Sequence, residues 1–284
     1  MTTDALVLRH DEAGITTLTL NRPQARNSLS QGMLTALQAA FDAVANDASV
    51  RVVILAGAGP AFCAGHDLKE IQAAGYQRDY TERLFADCAM LMQTIVNLPK
   101  PVIAQVHGIA TAAGCQLVAS CDLAIAADTA HFATPGVHIG LFCSTPMVAL
   151  SRNVSPKHAM QMLLTGDFID AQTAQAQGLV NRVVAAPSLD VELDKLVTAI
   201  LQKPQTAVRM GKAMLYRQRE MGLEAAYQLA GQTMALNMMD ADAQEGAQAF
   251  AETKAKQTLN RDAKQNAYVQ CVVNALVAQL PQQY

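Results

Sequence analysis

The chain has 284 residues, of which 51% are hydrophobic, and 21 basic against 24 acidic residues leave a net charge of −3. That length suits one large domain, or one domain with a helical appendage. The near-neutral balance and the lack of a basic block exclude nucleic acid as a partner, and no apolar run reaches the ~18 residues of a membrane span.

Residues 5–8 and 15–20 read as two strands around a turn at Asp11-Glu12-Ala13-Gly14. Asn21-Arg22-Pro23 ends the second strand. Ser30 then offers a helix N-cap, followed by Met33, Leu37, Ala40, Phe41 and Val44 at helical spacing. The β-branched run 50–56 predicts a buried strand, broken by 57–60. A helix is expected near 79–96, a buried strand over 101–106, a short helix after a Gly- and Ala-rich loop, and a strand over 123–126. This alternation predicts an α/β core with parallel pairing, compatible with a stack of ββα turns.

After about residue 185 the strand signals stop. Helices are expected near 188–202, 205–220, 222–237 and 241–256, and again over 262–280. The start of the chain has no signal or transit peptide pattern, so the expected location is cytoplasmic. Six cysteines occur, none in a CxxC pair, and they read as reduced, mostly buried thiols with no zinc site.

Two loops between a buried strand and a helix stand out, 57–70 and 107–117. Both are rich in small residues, so a ligand can approach the main chain. Strand-to-helix loops of this kind can aim unpaired N–H groups outward. From pattern alone they read first as ordinary tight turns.

Several segments together resemble the crotonase (enoyl-CoA hydratase/isomerase) superfamily. They are Asn21-Arg22-Pro23 with Arg26-Asn27-Ser28-Leu29-Ser30, Phe62-Cys63-Ala64-Gly65-His66-Asp67-Leu68-Lys69-Glu70, and Ala113-Gly114-Cys115-Gln116-Leu117 with Cys121-Asp122. Leu164-Thr165-Gly166, Gly178-Leu179-Val180-Asn181 and Glu245-Gly246 extend the resemblance over about 5–258. The wording of 64–70, 112–117 and 140–146 narrows it to one subgroup.

The resemblance implies a crotonase-like α/β spiral of ββα units over 1–200 with a helical trimerisation region over 201–258. Residues 259–284 would form a C-terminal helical extension. It also implies an acyl-CoA thioester as ligand, a homotrimer or hexamer, and no metal or resident cofactor, since CoA is part of the substrate. By position, the N–H groups of His66 and Ala113 would form an oxyanion hole. Ala64 and Leu68 would border the adenine and pantetheine path, and Arg26 and Lys69 would contact phosphates.

The sequence departs from the family at the two glutamates that hydratases use as acid and base. Gln116 and Gly136 stand at those positions, and relatives with an acid eight residues later have Ser144 here in its place. Three activities remain open. They are a hydratase or isomerase using another base, a decarboxylase of malonyl-type CoA thioesters, and a non-catalytic acyl-CoA binder. The His66 imidazole is expected at the pocket edge, or in contact with a substrate carboxylate. Asp67 and Asp122 read as capping residues.

Overall fold

The computed structural model describes residues 5–251. Two sheets organise them. β1 (Val7–Glu12) and β2 (Ile15–Leu20) form a hairpin, and the turn is shorter than expected. Ala13 and Gly14 alone make it, both at positive φ (48° and 84°), as a two-residue turn requires. β3 (Val52–Gly57), β5 (Val102–Val106), β7 (Leu123–Ala127) and β10 (Arg182–Val184) add parallel strands in the order β1-β2-β3-β5-β7-β10.

The second sheet is built from pieces too short to read in the sequence. β4 (Ala61–Cys63), β6 (Ile109–Thr111) and β8 (His131–Ala133) are parallel neighbours, with the two-residue β9 (Ile169–Asp170) antiparallel at the edge. Each ββα unit thus gives one strand to each sheet before its helix, which is the spiral expected.

The helices follow their apolar stripes. α1 (Gln31–Asn46) starts at Ser30, whose hydroxyl accepts from Met33 N–H at 3.1 Å, and buries Met33, Leu34, Leu37, Phe41 and Val44. α2 (Leu68–Ala73) is short. α3 (Arg78–Asn97) buries Leu84, Cys88, Leu91 and Ile95 against the same core. α4 (Ala113–Ser120) has all eight residues buried. α5 (Ser144–Leu150), α6 (Pro156–Thr165) and α7 (Ala171–Ala176) follow.

α8 (Leu189–Leu201) covers the other face of the large sheet. Leu189, Leu193 and Val197 sit on Val52, Ile54, Ile103 and Ile125. Burial of each such side chain is worth about 1.5–3 kcal/mol at most. Strands covered on both faces explain why β3 reads as a continuous apolar run rather than an alternation.

α9 (Gln205–Gln218) is tied to the core by one lysine. Lys212 Nζ donates to the carbonyls of Ile95 and Lys100 at 2.9 Å each and to Asp122 Oδ2 at 2.7 Å, and Tyr216 donates to Asp122 Oδ1 at 3.0 Å. Asp122 also accepts from Val102 N–H at 2.7 Å. Asp122 therefore holds a buried ion pair that spans three elements and caps no helix. Burial pushes its carboxyl up and the Lys212 ammonium down, and their mutual attraction opposes both shifts.

The chain divides into two compact units, Met1–Glu220 and Met221–Tyr284, so α9 belongs with the first. The second holds α10 (Leu223–Met238) and α11 (Ala241–Ala251). The helix expected at 262–280, and with it the extension 259–284, lies outside the described residues.

Candidate functional site

Asn27, one of the residues of the opening motif, is a fastener. It is fully buried at φ 55°, and its Nδ2 donates to the carbonyls of Ala58 (2.9 Å) and Ala61 (2.8 Å). Its Oδ1 accepts from Arg22 N–H at 2.9 Å. Arg22 in turn pairs with Asp67 at 2.5 Å. Burial alone would raise the Asp67 carboxyl. Hydrogen bonds from Arg22 and from the N–H groups of Lys69 and Glu70 hold it below its usual range, and it caps α2 as expected.

These fasteners lay 64–67 alongside 26–30. Ala64 N–H donates to Arg26 O (3.0 Å), Leu29 N–H to Gly65 O (2.8 Å) and Asp67 N–H to Leu29 O (3.1 Å). In parallel extended pairing a residue bonds the partner's two flanking residues and leaves the middle one facing away. His66 is that middle residue. Its N–H turns away from the 26–30 segment and has no acceptor among the described residues.

The 112–116 segment abuts it. A Cβ on Gly65 (φ 88°) would sit 2.9 Å from Ala112 Cβ and 3.4 Å from Ala113 N, so only glycine allows the two segments this close. Gly114 packs on Cys63, where a Cβ would lie 2.1 Å from the carbonyl oxygen. Ala113 is the first residue of α4, so its N–H has no acceptor one turn back. Ala112 before it is held at φ 49°, ψ −118°, a strained conformation that costs alanine about 1–3 kcal/mol. Backbone strain concentrated where two N–H groups come free is a common mark of functional sites.

A cavity of about 510 Å³ lies over this junction. Ala64, His66, Leu68, Ile71 and Phe85 form one wall, Ala112 and Ala113 the floor, and residues from 135 to 146 the other wall. No Asp or Glu lines it among the described residues. Ala64 and Leu68 both line the cavity. Arg26 and Lys69 are exposed and make no ion pair among the described residues. No group of three or more His, Cys, Asp or Glu side chains there could hold a metal.

Gln116 is buried and is not among the lining residues; its Oε1 has no partner. Gly136 lines the cavity, but no side chain fits on it. A Cβ there would meet Leu141 O at 2.1 Å and Cys143 Sγ at 2.8 Å. Gly136 N–H donates to Cys143 Sγ at 3.3 Å, and burial pushes that thiol up, so Cys143 is a neutral thiol rather than a nucleophile.

The His66 imidazole packs edge-on to Phe85 with centroids 5.2 Å apart. Both ring nitrogens are buried and unpartnered. Burial lowers its pKa to about 4, opposed by the nearby Leu29 carbonyl, which does not complete a hydrogen bond. His66 is therefore neutral at pH 7, and it lines the cavity with both ring nitrogens shielded from solvent. The backbone around His66 is placed by fasteners about 40 residues upstream, Arg22 and Asn27, which no local pattern reveals.

The enoyl-CoA hydratase/isomerase family model matches residues 10–261. Enoyl-CoA hydratase domain-containing protein 3, mitochondrial, of Xenopus laevis is 45% identical over 249 residues, covering 88% of this chain and 84% of the relative. Its human counterpart is 46% identical over 243 residues, covering 85% and 79%. These are the subgroup that the wording of 64–70, 112–117 and 140–146 resembles. The crystal structure of an enoyl-CoA hydratase from Mycobacterium smegmatis superposes with a TM-score of 0.86 at 59% identity, covering 88% of this chain and 97% of that one. That of human enoyl-CoA hydratase domain-containing protein 3 gives 0.83 at 44%, covering 87% and 97%.

Proposed function

The chain belongs to the enoyl-CoA hydratase/isomerase family of the crotonase superfamily, and from that premise we propose that it binds an acyl-CoA thioester with the thioester oxygen on the N–H groups of His66 and Ala113. The observation that carries this reading is the outward turn of the His66 N–H beside the first turn of α4. Two fixed donors there favour charge that develops on the oxygen as an enolate forms, and one such donor is worth about 2.7–4 kcal/mol. Ala64 and Leu68 border the path of the CoA moiety, with Arg26 and Lys69 as cations for its phosphates. No metal or resident cofactor takes part. The helices from 201 onward serve assembly into a homotrimer or hexamer. The cytoplasmic location expected from the sequence stays part of the proposal, although the vertebrate relatives carry "mitochondrial" in their names.

Gln116 and Gly136 take the places of the two glutamates. A glutamine can hold water but cannot take its proton at neutral pH. With each positioned acid or base worth roughly 10²–10⁴-fold, hydration by the family's usual route is crippled. The lack of a cavity carboxylate favours decarboxylation of a malonyl-type CoA thioester as a second reading. There the bond to the carboxylate breaks, carbon dioxide leaves, and the electron pair passes to the thioester oxygen as an enolate, which water then protonates. No basic side chain is needed.

Product detection by mass spectrometry with crotonyl-CoA, a longer enoyl-CoA and methylmalonyl-CoA, alongside calorimetric binding, tests both. Micromolar binding with loss of carbon dioxide from methylmalonyl-CoA is expected. Binding without any turnover would leave an acyl-CoA binder. Hydration at ~1 s⁻¹ or faster would refute the reading of the missing glutamates, and absence of all thioester binding would refute the site itself.

A further inference from the structure

Two histidines line the cavity, His66 on one wall and His138 on the other. They differ in what a proton would meet. Burial holds His66 neutral and shields both its ring nitrogens. His138 is exposed, and it stands in a turn of 3₁₀ helix, Pro135–Ile139, just after β8.

The His138 ring is seated on the end of α6. Its Nε2 lies 2.8 Å from the carbonyl oxygen of Thr165, the last residue of that helix. The final carbonyls of a helix have no partner within it. A carbonyl oxygen only accepts, so Nε2 carries the proton and donates. In the neutral ring Nδ1 is then the nitrogen with a free lone pair. Nδ1 makes no hydrogen bond among the described residues. Gly166 leaves room for this seat, since a Cβ there would lie 2.9 Å from Nε2. A ring fixed through its far nitrogen, with the near one free, is the arrangement of a general-base histidine.

The other side chains of the lining are unsuited to take a proton. No carboxylate is among them in the described residues. Burial pushes the Cys143 thiol up, and its sulfur already accepts from Gly136 N–H at 3.3 Å. The hydroxyls of Ser144 and Thr145, also in the lining, keep their protons at neutral pH unless a base stands beside them.

We propose that His138 is the general base of this site, with Nδ1 removing a proton from the carbon next to the thioester carbonyl. The proposal rests on the thioester-binding reading above. The C–H bond breaks, the proton passes to Nδ1, and the electron pair moves to the thioester oxygen as an enolate. Return of the proton from the imidazolium restores the thioester and the neutral ring. In heavy water the proton on nitrogen exchanges with solvent, because His138 is exposed, so deuterium enters at that carbon. Decarboxylation reaches the same kind of enolate by breaking a C–C bond, so only the present route needs a base.

The full chain with butyryl-CoA in heavy water tests this, with deuterium uptake followed by mass spectrometry and affinity by calorimetry. Wild type is expected to exchange faster than a protein-free control. The amide of His138→Gln can still donate to Thr165 O but takes no proton at neutral pH. That variant is expected to exchange about 100-fold more slowly or worse, at an affinity within about twofold of wild type. His138→Ala is expected to lose exchange equally and to regain about tenfold or more of it when imidazole is added. A merely structural histidine would show no such rescue. If His138→Gln does not fold, His138→Ala carries the test. Wild-type binding without exchange, exchange that survives the substitutions, or a deficit that imidazole leaves untouched overturns the proposal while thioester binding stands. A wild type that binds no butyryl-CoA overturns the thioester reading, and the proposal with it.

Discussion

Gly136→Ala is a small change with a large expected effect. The new Cβ would lie 2.1 Å from Leu141 O and 2.8 Å from Cys143 Sγ. A backbone oxygen cannot rotate away, so 141–143 must retreat by more than an ångström. That retreat strains two hydrogen bonds, Leu141 N–H to Gly136 O (2.9 Å) and Gly136 N–H to Cys143 Sγ (3.3 Å). Overpacking costs about 1–3 kcal/mol and each weakened bond about 0.5–1.5, giving roughly 2–6 kcal/mol. At about 2–4 °C per kcal/mol the melting temperature should fall by roughly 4–24 °C. Gly231→Ala is the control, since nothing lies within 4 Å of its added Cβ and alanine suits the interior of α10. Differential scanning calorimetry of both variants decides. A Gly136→Ala melt within about 2 °C of wild type would refute the claim that this position has no room. The same reasoning holds for Gly136→Glu, so a carboxylate cannot be placed there by one substitution unless 141–143 is rebuilt with it.

Two further outcomes follow from buried charge. His66 is neutral in the fold down to about pH 4, whereas in the unfolded chain it takes a proton below about 6.5. Its contribution to stability is thus complete above about 6.5 and is lost as pH falls toward 4, by about 3 kcal/mol at most. Urea unfolding of wild type and His66→Phe at pH 7.5 and 5 should show a flatter pH dependence in the variant, and parallel slopes would assign the effect to another group. Lys212→Met leaves Asp122 buried without its counter-ion, with side chains that are 7% and 15% exposed in the native pair. Loss of one partner should cost about 3–5 kcal/mol, and a loss below about 1 kcal/mol would mean that the pair behaves like a solvated surface bridge.

The elements that the sequence revealed were those with enough length to carry a period. α1 and α3 announce themselves by stripes, β3 and β5 by β-branched runs, and α8 to α10 by the loss of strand signals after 185. β4, β6 and β8 have three residues each, too few for any alternation, and they pair with partners far along the chain. The site stands on their ends, so its frame was hidden even where its residues were legible. The motifs singled out His66, Ala113, Ala64 and Leu68, which all line one cavity. They did not reveal that Asn27 pins the first loop, that Gln116 stands off the cavity lining, or that Leu141 fills the space beside Gly136. The first two depend on packing between distant segments, and the third on a tight local turn that the residue types do not announce.

α4 has no exposed face. On most helices, surface positions absorb neutral substitutions while the core stays fixed, and here every position is core. Even a one-carbon change there is felt by neighbours on all sides. The N–H of Ala113 is therefore carried on a part of the molecule where drift is heavily constrained. Change in this lineage has freer ground along the two walls, where Leu68, Ile139 and Leu141 stand at 46–61% exposure. New acyl preferences can arise there by single steps, while the proposed resting place of the thioester oxygen stays fixed.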